Sequence, residues 1–308
     1  MQRPFPRRRV RLLVAAAALG CLGLGSPMTT GATGTTGATY TSTVDAGGAS
    51  FTTRTACSTA TAYPSTVTGL NPSIYYRFGE AAAPQPTTVA DSSGNGNTGV
   101  VVAGAPLSLS ENFGAGPAIW CDTTGGMGQP LVDRTATTAG FVVWPSLRTQ
   151  PNVFTLMAWI QVPNGLSTGG KIMGFGNSMA GQSTQYDRHL FVDDAGRVWF
   201  GIYPGGFATI TSPGTVNDGK PHQVVASLGP AGGRLYVDGL LVASNAGWTV
   251  AEAYNGYWRI GWDNVGGWAG GADPTNFGLG GVIDEAAVFD GTQLTPAQVA
   301  STYADNHW

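Results

Sequence analysis

The sequence predicts an all-β fold, two antiparallel sheets packed as a sandwich, and two observations carry the prediction. Beyond Leu70, short runs of alternating apolar and polar residues are separated by Gly, Asn, Asp and Pro, the way strands with one buried face are joined by tight turns. The composition agrees: 47 Gly and only 11% charged residues make a turn-rich chain, while 42% hydrophobic residues, 9 Trp among them, supply a core. A chain of 308 residues accommodates one sandwich of roughly 200 to 250 residues with extensions.

Residues 1–28 read as a secretory signal, since Arg3, Arg7, Arg8, Arg9 and Arg11 precede an apolar run from Leu12 to about Leu24 that ends in small and polar residues. That run falls short of the about 20 residues a membrane span needs, and none like it recurs. The mature chain is therefore expected outside the cell, secreted or at a surface, with no membrane span. Residues 29–69 are rich in Thr, Gly, Ser and Ala and bury too little apolar area to offset their ordering, so they read as a linker or as a strand lent elsewhere. Residues 70–308 hold the sandwich.

Within it the clearest strand is VFTLMAWIQV, with Phe154, Leu156, Ala158, Ile160 and Val162 on one face. Its other face, Val153, Thr155, Met157, Trp159 and Gln161, is mixed and expected to be partly wetted. RVWFGIY, HQVVASL and YWRIGW follow the same period, and Asp238-Gly239 between two apolar runs predicts a two-residue hairpin turn. One short helix is signalled, at the end: Thr295 as cap, Pro296 in the first turn and Gln298 completing a capping box.

Charge and cysteines bound the function. The formal net charge is -3, but five of the 15 basic residues lie in the leader, leaving 10 against 18 acidic ones and a mature charge of -8. A chain of that sign is repelled by phosphate backbones and anionic lipid, which argues against nucleic-acid and electrostatic membrane partners. Cys21 sits in the leader's apolar run; once it is removed, Cys57 and Cys121 form an even pair that predicts a disulfide in an oxidising compartment, two buried thiols being the competing reading.

Five segments in order carry a resemblance: YYRFGE with ADSSGNGNTG, then FTLMAWIQ, DGKPHQVVASL, GGRLYVDGLLVA and GVIDEAAVFDGTQLTPAQV. Together they resemble the laminin G-like domains of the concanavalin A-like jelly-roll superfamily, in its bacterial secreted form. The resemblance implies one convex and one concave sheet with loops along the rim, roles in sugar binding and adhesion, and in many members a calcium ion. Oxygen donors for calcium are available in Asp91, Asn95 and Asn97 of one Gly-rich loop and in Asp284 of a strand expected nearby; the alternative is that they only shape a turn and a strand. The segment from Trp262 to Gly281 looks longer than the family's usual connection, and loops on rigid scaffolds carry binding.

That loop supplies the ligand-binding candidates Trp262, Asp263, Asn264 and Trp268. Flat aromatic faces pack on sugar rings while a neighbouring Asp or Asn bonds hydroxyls, and Trp268, flanked by glycine and alanine, is expected to be the exposed one. Asp187 and Arg188 are lesser rim candidates. Catalytic patterns are missing: the four glutamates form no alternating carboxylate pair, Asp284 and Glu285 are adjacent and expected on opposite faces of a strand, and His189, His222 and His307 belong to no metal or nucleophile motif. The sequence thus predicts a secreted, non-catalytic module recognising an extracellular glycan, with a structural or adhesive surface protein as the alternative and a glycoside hydrolase behind both.

Overall fold

The computed structural model describes residues 62–80, 87–102, 108–111, 126–129, 140–270 and 272–305, all within the compact unit Ala56–Trp308. The leader and both Cys57 and Cys121 lie outside these residues. Helix α1 (Ala62–Gly69) comes first, followed by β1 (Ile74–Tyr76), β2 (Thr88–Val89), β3 (Gly99–Val102), β4 (Ser108–Glu111), β5 (Gly126–Gln129), β6 (Phe141–Val143) and β7 (Arg148–Thr149). Longer strands succeed them: β8 (Phe154–Gln161), β9 (Gly170–Gly176), β10 (Tyr186–Val192), β11 (Arg197–Ile202), β12 (Ala208–Thr215) and β13 (Pro221–Leu228). The chain then runs through β14 (Gly233–Val237), β15 (Leu240–Asn245), β16 (Asn255–Gly261), β17 (Gly281–Asp290) and helix α2 (Pro296–Ala304).

Two antiparallel sheets result, as the period-2 pattern requires. One runs β15-β14-β13-β8-β17-β5-β4 with β1 also on β17; the other runs β12-β11-β10-β9-β16-β6-β3-β2 with β7 also on β16. Their facing sides meet in the main core, where Phe154, Leu156, Ala158 and Ile160 of β8 pack with Leu190, Phe200, Trp258 and Ile260. The Asp238-Gly239 turn has φ of 52° and 75°, the left-handed pair its hairpin needs. Helix α2 carries the expected capping box, Thr295 accepting from the Gln298 N–H and Gln298 returning to the Thr295 N–H.

Three expectations are corrected. The second face of β8 is dry at its centre, with only Val153 and Gln161 at its ends partly exposed: Met157 and Trp159 are buried with Tyr63 and Val67 of α1 and with Leu294 and Val299 around α2. Tyr303 stacks on Trp159 at 5.9 Å. The linker reading of 29–69 fails at its end, because α1 seals this second cluster and so belongs to the packed domain. Asp284 and Glu285 do not alternate either. A register break between Asp284 and Ala287 and a Glu285 φ of 50° mark a bulge. Ile283 and Ala286 face the main core, and the Glu285 carboxylate turns the other way to Tyr75 and Arg77.

Candidate functional site

The outer face of the β12-to-β2 sheet is where this chain departs from a bare sandwich. Alternation sends Val143, Phe141, Arg259, Lys171, His189, Phe191, Trp199 and Gly201 outward, and the segment between β16 and β17 folds over them. Trp262, Val265, Trp268, Ala269 and Phe277 of that segment form a third apolar cluster with Phe141, Val143 and Phe191. Carboxylates pin the roof. Asp273 accepts from the Gly267 and Ala269 N–H at 2.6 and 2.8 Å, and Asp194 from the Thr275 N–H at 3.0 Å. The Lys171 N–H donates to the Phe277 carbonyl at 3.2 Å.

This arrangement overturns the expected exposed platform. Trp268 is 2% exposed and Trp262 fully buried. Trp268 lies edge-on to His189 at 4.5 Å and to Phe207 at 5.1 Å. Its six-membered ring covers Gly201, where a Cβ would meet it at 2.5 Å, so only glycine permits the contact. Asp263 is equally buried. Its Oδ1 accepts from the Ser183 and Asn264 N–H at 3.0 and 2.9 Å, its Oδ2 from Ser183 Oγ at 2.9 Å, and Lys171 Nζ lies 3.4 Å away. Burial opposes that charge, but Lys171 and Arg259 beside it hold the carboxyl below the usual range. Asn264 shapes a turn through the Gly266 N–H at 2.9 Å. Asp187 and Arg188, expected on the rim, are a buried pair; Arg188 also donates to the Pro151 and Glu252 carbonyls.

The calcium donors find other work. Asp91 accepts from the Tyr75 and Ser93 N–H at 2.9 Å each, from Ser93 Oγ at 2.7 Å and from the Asn97 N–H at 2.8 Å. Its carboxylate thereby clips the loop to β1. The Asn95 and Asn97 amides donate to the Pro72 and Ser73 carbonyls at 2.9 Å each. Asp284 is 2% exposed and receives the Glu285 N–H. Among the described residues no three His, Cys, Asp or Glu side chains gather as a metal-holding group. Glu285 is buried, which pushes its pKa well up.

What remains accessible is an aromatic strip at the sheet edge. Trp199 and Tyr203 share a face of the β11 segment, four residues or about 13 Å apart, and both are half-buried. Trp199 stacks on Phe191 at 6.1 Å and anchors its indole N–H on Asp193 at 2.9 Å. Phe207, in the turn to β12, is 59% exposed and braced by Tyr203 at 5.3 Å and by Trp268. Across the ladder Thr211 and Thr209 oppose Trp199 and Gly201, bringing half-buried threonines to the same face. The sequence reading missed this strip, although the alternation of RVWFGIY placed Trp199, Gly201 and Tyr203 together.

No curated protein sequence matches the chain. Among solved structures it is similar to a Trypanosoma rangeli sialidase in complex with sialic acid, at 14% identity and a TM-score of 0.49, over 76% of this chain and 33% of that one. It therefore spans about a third of the sialidase chain. It is also similar to domain 4 of AbnA, a GH43 extracellular arabinanase from Geobacillus stearothermophilus, in complex with arabinotriose, at 16% identity and a TM-score of 0.44, over 76% of this chain and 98% of that domain. Residues 136–300, more than half of the sequence, match a laminin G family. Carried by that match and by the two-sheet antiparallel sandwich, the chain belongs to the concanavalin A-like lectin/glucanases superfamily.

Proposed function

We propose that this protein is an exported, non-catalytic module that binds a glycan along the strip formed by Trp199, Tyr203 and Phe207. One observation carries the reading: a phenylalanine 59% exposed and packed edge-on against Tyr203 and Trp268, with Trp199 on the same face of the β11 segment as Tyr203. Leaving such a surface in water is unfavourable unless it is used. Its rings offer apolar faces to the C–H side of a sugar, with Thr209 and Thr211 beside them on the neighbouring strand. The strip suits an uncharged oligosaccharide, because Arg197 at its end is already paired with Asp193 at 2.8 Å.

The non-catalytic part of the reading is supported by how the buried carboxylates are engaged. Asp263 faces Lys171 and Arg259, Asp187 faces Arg188, and Glu285 faces Arg77 and Tyr75. Export is supported by the arginine-rich leader. The test is a glycan array probed with the full chain and with Phe207→Ala. The wild type should retain neutral oligosaccharides, and the variant should bind roughly 30-fold more weakly, about 2 kcal/mol for a truncated aromatic anchor, with an unchanged melting temperature. Retention of no glycan, or equal binding by the variant, would overturn the reading and favour the adhesive alternative.

A further inference from the structure

Two outward-facing glycines of β9 floor a buried trough. A Cβ on Gly174 would lie 3.0 Å from both Lys171 Nζ and His189 Nδ1, and one on Gly176 would lie 2.7 Å from Asp263 Oδ2. Amine, imidazole and carboxylate thus rest on bare backbone, all at 0% exposure, under the roof that Trp262 and Trp268 supply. Lys171 Nζ reaches Asp263 Oδ2 at 3.4 Å. Neither ring nitrogen of His189 has a well-formed hydrogen bond, the Tyr186 backbone being its one weak polar contact. Lys171 is a buried charge held by one long contact, a poor bargain for stability, whereas Asp263 is held further by Ser183, Asn264 and Arg259.

We propose that Lys171 and Asp263 condense into an intramolecular isopeptide bond that ties β9 to the base of the roofing loop. The amine nitrogen attacks Cγ of Asp263; the N–C bond forms and the Cγ–Oδ2 bond breaks. Of the three ammonium hydrogens one stays on the amide nitrogen, and two leave with Oδ2 as water, so the step balances with no oxidant or co-reactant. The trough supplies each requirement. The Ser183 and Asn264 N–H groups on Oδ1 are placed to hold the oxyanion of the tetrahedral intermediate. Burial lowers the Lys171 pKa to about 8, so the ammonium can pass its first proton to the Asp263 carboxylate and attack as free amine, its second following to the departing oxygen. Burial, with Lys171 and Arg259 nearby, keeps His189 uncharged, so the imidazole adds no further cation beside the reacting pair. Replacing the Lys171–Asp263 pair by a neutral amide removes two buried charges and leaves Arg259 to the Ser178, Gly181 and Trp262 carbonyls.

Tryptic mapping of the reduced, denatured full chain tests the proposal. Lysines occur only at 171 and 220. A bond at Lys171 blocks cleavage there, so residues 149–188 should emerge joined to residues 260–308, 18 Da lighter than the two peptides separately. Lys171→Arg cannot form the bond and should be cut at position 171, releasing residues 149–171, 172–188 and 260–308 as three separate peptides. Asp263→Ala, with folding checked by its melting curve, should leave Lys171 cleavable. Wild-type protein cleaved cleanly after Lys171, with no branched peptide, would overturn the bond and leave a buried ion pair. A branched peptide that persists in Asp263→Ala would overturn Asp263 as the acyl partner. A cyclic imide at an Asp-Gly pair also loses 18 Da but joins no peptides, so the branched product is diagnostic.

Discussion

Trp268 sits among rings, with His189, Tyr203 and Phe207 around it and Gly201 beneath. Truncating so large a buried side chain leaves a cavity under the roof, so Trp268→Ala should destabilise by about 3 kcal/mol or more. Thermal melts of the variant and wild type check this, and an unchanged melting temperature would contradict the buried position. His222 is a second telling residue. Its Nδ1 lies 2.8 Å from Asp238 and its Nε2 3.0 Å from Asp218, joining the loop before β13 to the Asp238-Gly239 turn. Burial lowers its pKa, but the two carboxylates together outweigh that and raise it above the ordinary 6.5. A raised folded-state pKa contributes stability that is complete below about 6.5 and is lost as pH climbs through the folded value. Denaturant midpoints should therefore decline on the alkaline side of 6.5 in the wild type, and His222→Gln should show a flatter profile there.

At the scale of elements, the loop from 91 to 97 behaves as a folded clip. Asp91 satisfies three backbone N–H groups and one hydroxyl, and its removal strands donors that water reaches poorly. Asp91→Ala should cost roughly 1 to 3 kcal/mol. Because protein donors occupy the carboxylate, the loss should be equal in calcium and in chelator; a loss that appears only with calcium present would restore the ion to this loop. The roofing loop follows the same logic, its turns tied by Asp273 and Asp194. Its length was legible in the sequence and its path was not. DNVGGWAGGADPTNFGLG has no period, so nothing local states whether a Trp between a glycine and an alanine faces water or a sheet.

For the whole molecule, the residue pattern by itself determined most of the architecture. Alternation in VFTLMAWIQV, RVWFGIY and YWRIGW set which residues face the intersheet core, because a one-residue slip would turn every apolar side chain outward. Asp238-Gly239 and the Thr295 to Gln298 box likewise specified a hairpin and a helix start through chemistry confined to a few neighbours. What only the tertiary structure decided is how the two outer faces are used. Helices α1 and α2 dry one of them, turning the mixed face of β8 into a second core. A loop with no periodicity dries much of the other, burying Trp262, Asp263 and Trp268 and leaving Trp199, Tyr203 and Phe207 at its margin. The bulge at Asp284 and Glu285 belongs with these, since it is visible only against the partner strand. Each depends on contacts between residues distant in sequence, and burial against a distant element leaves no local period to read.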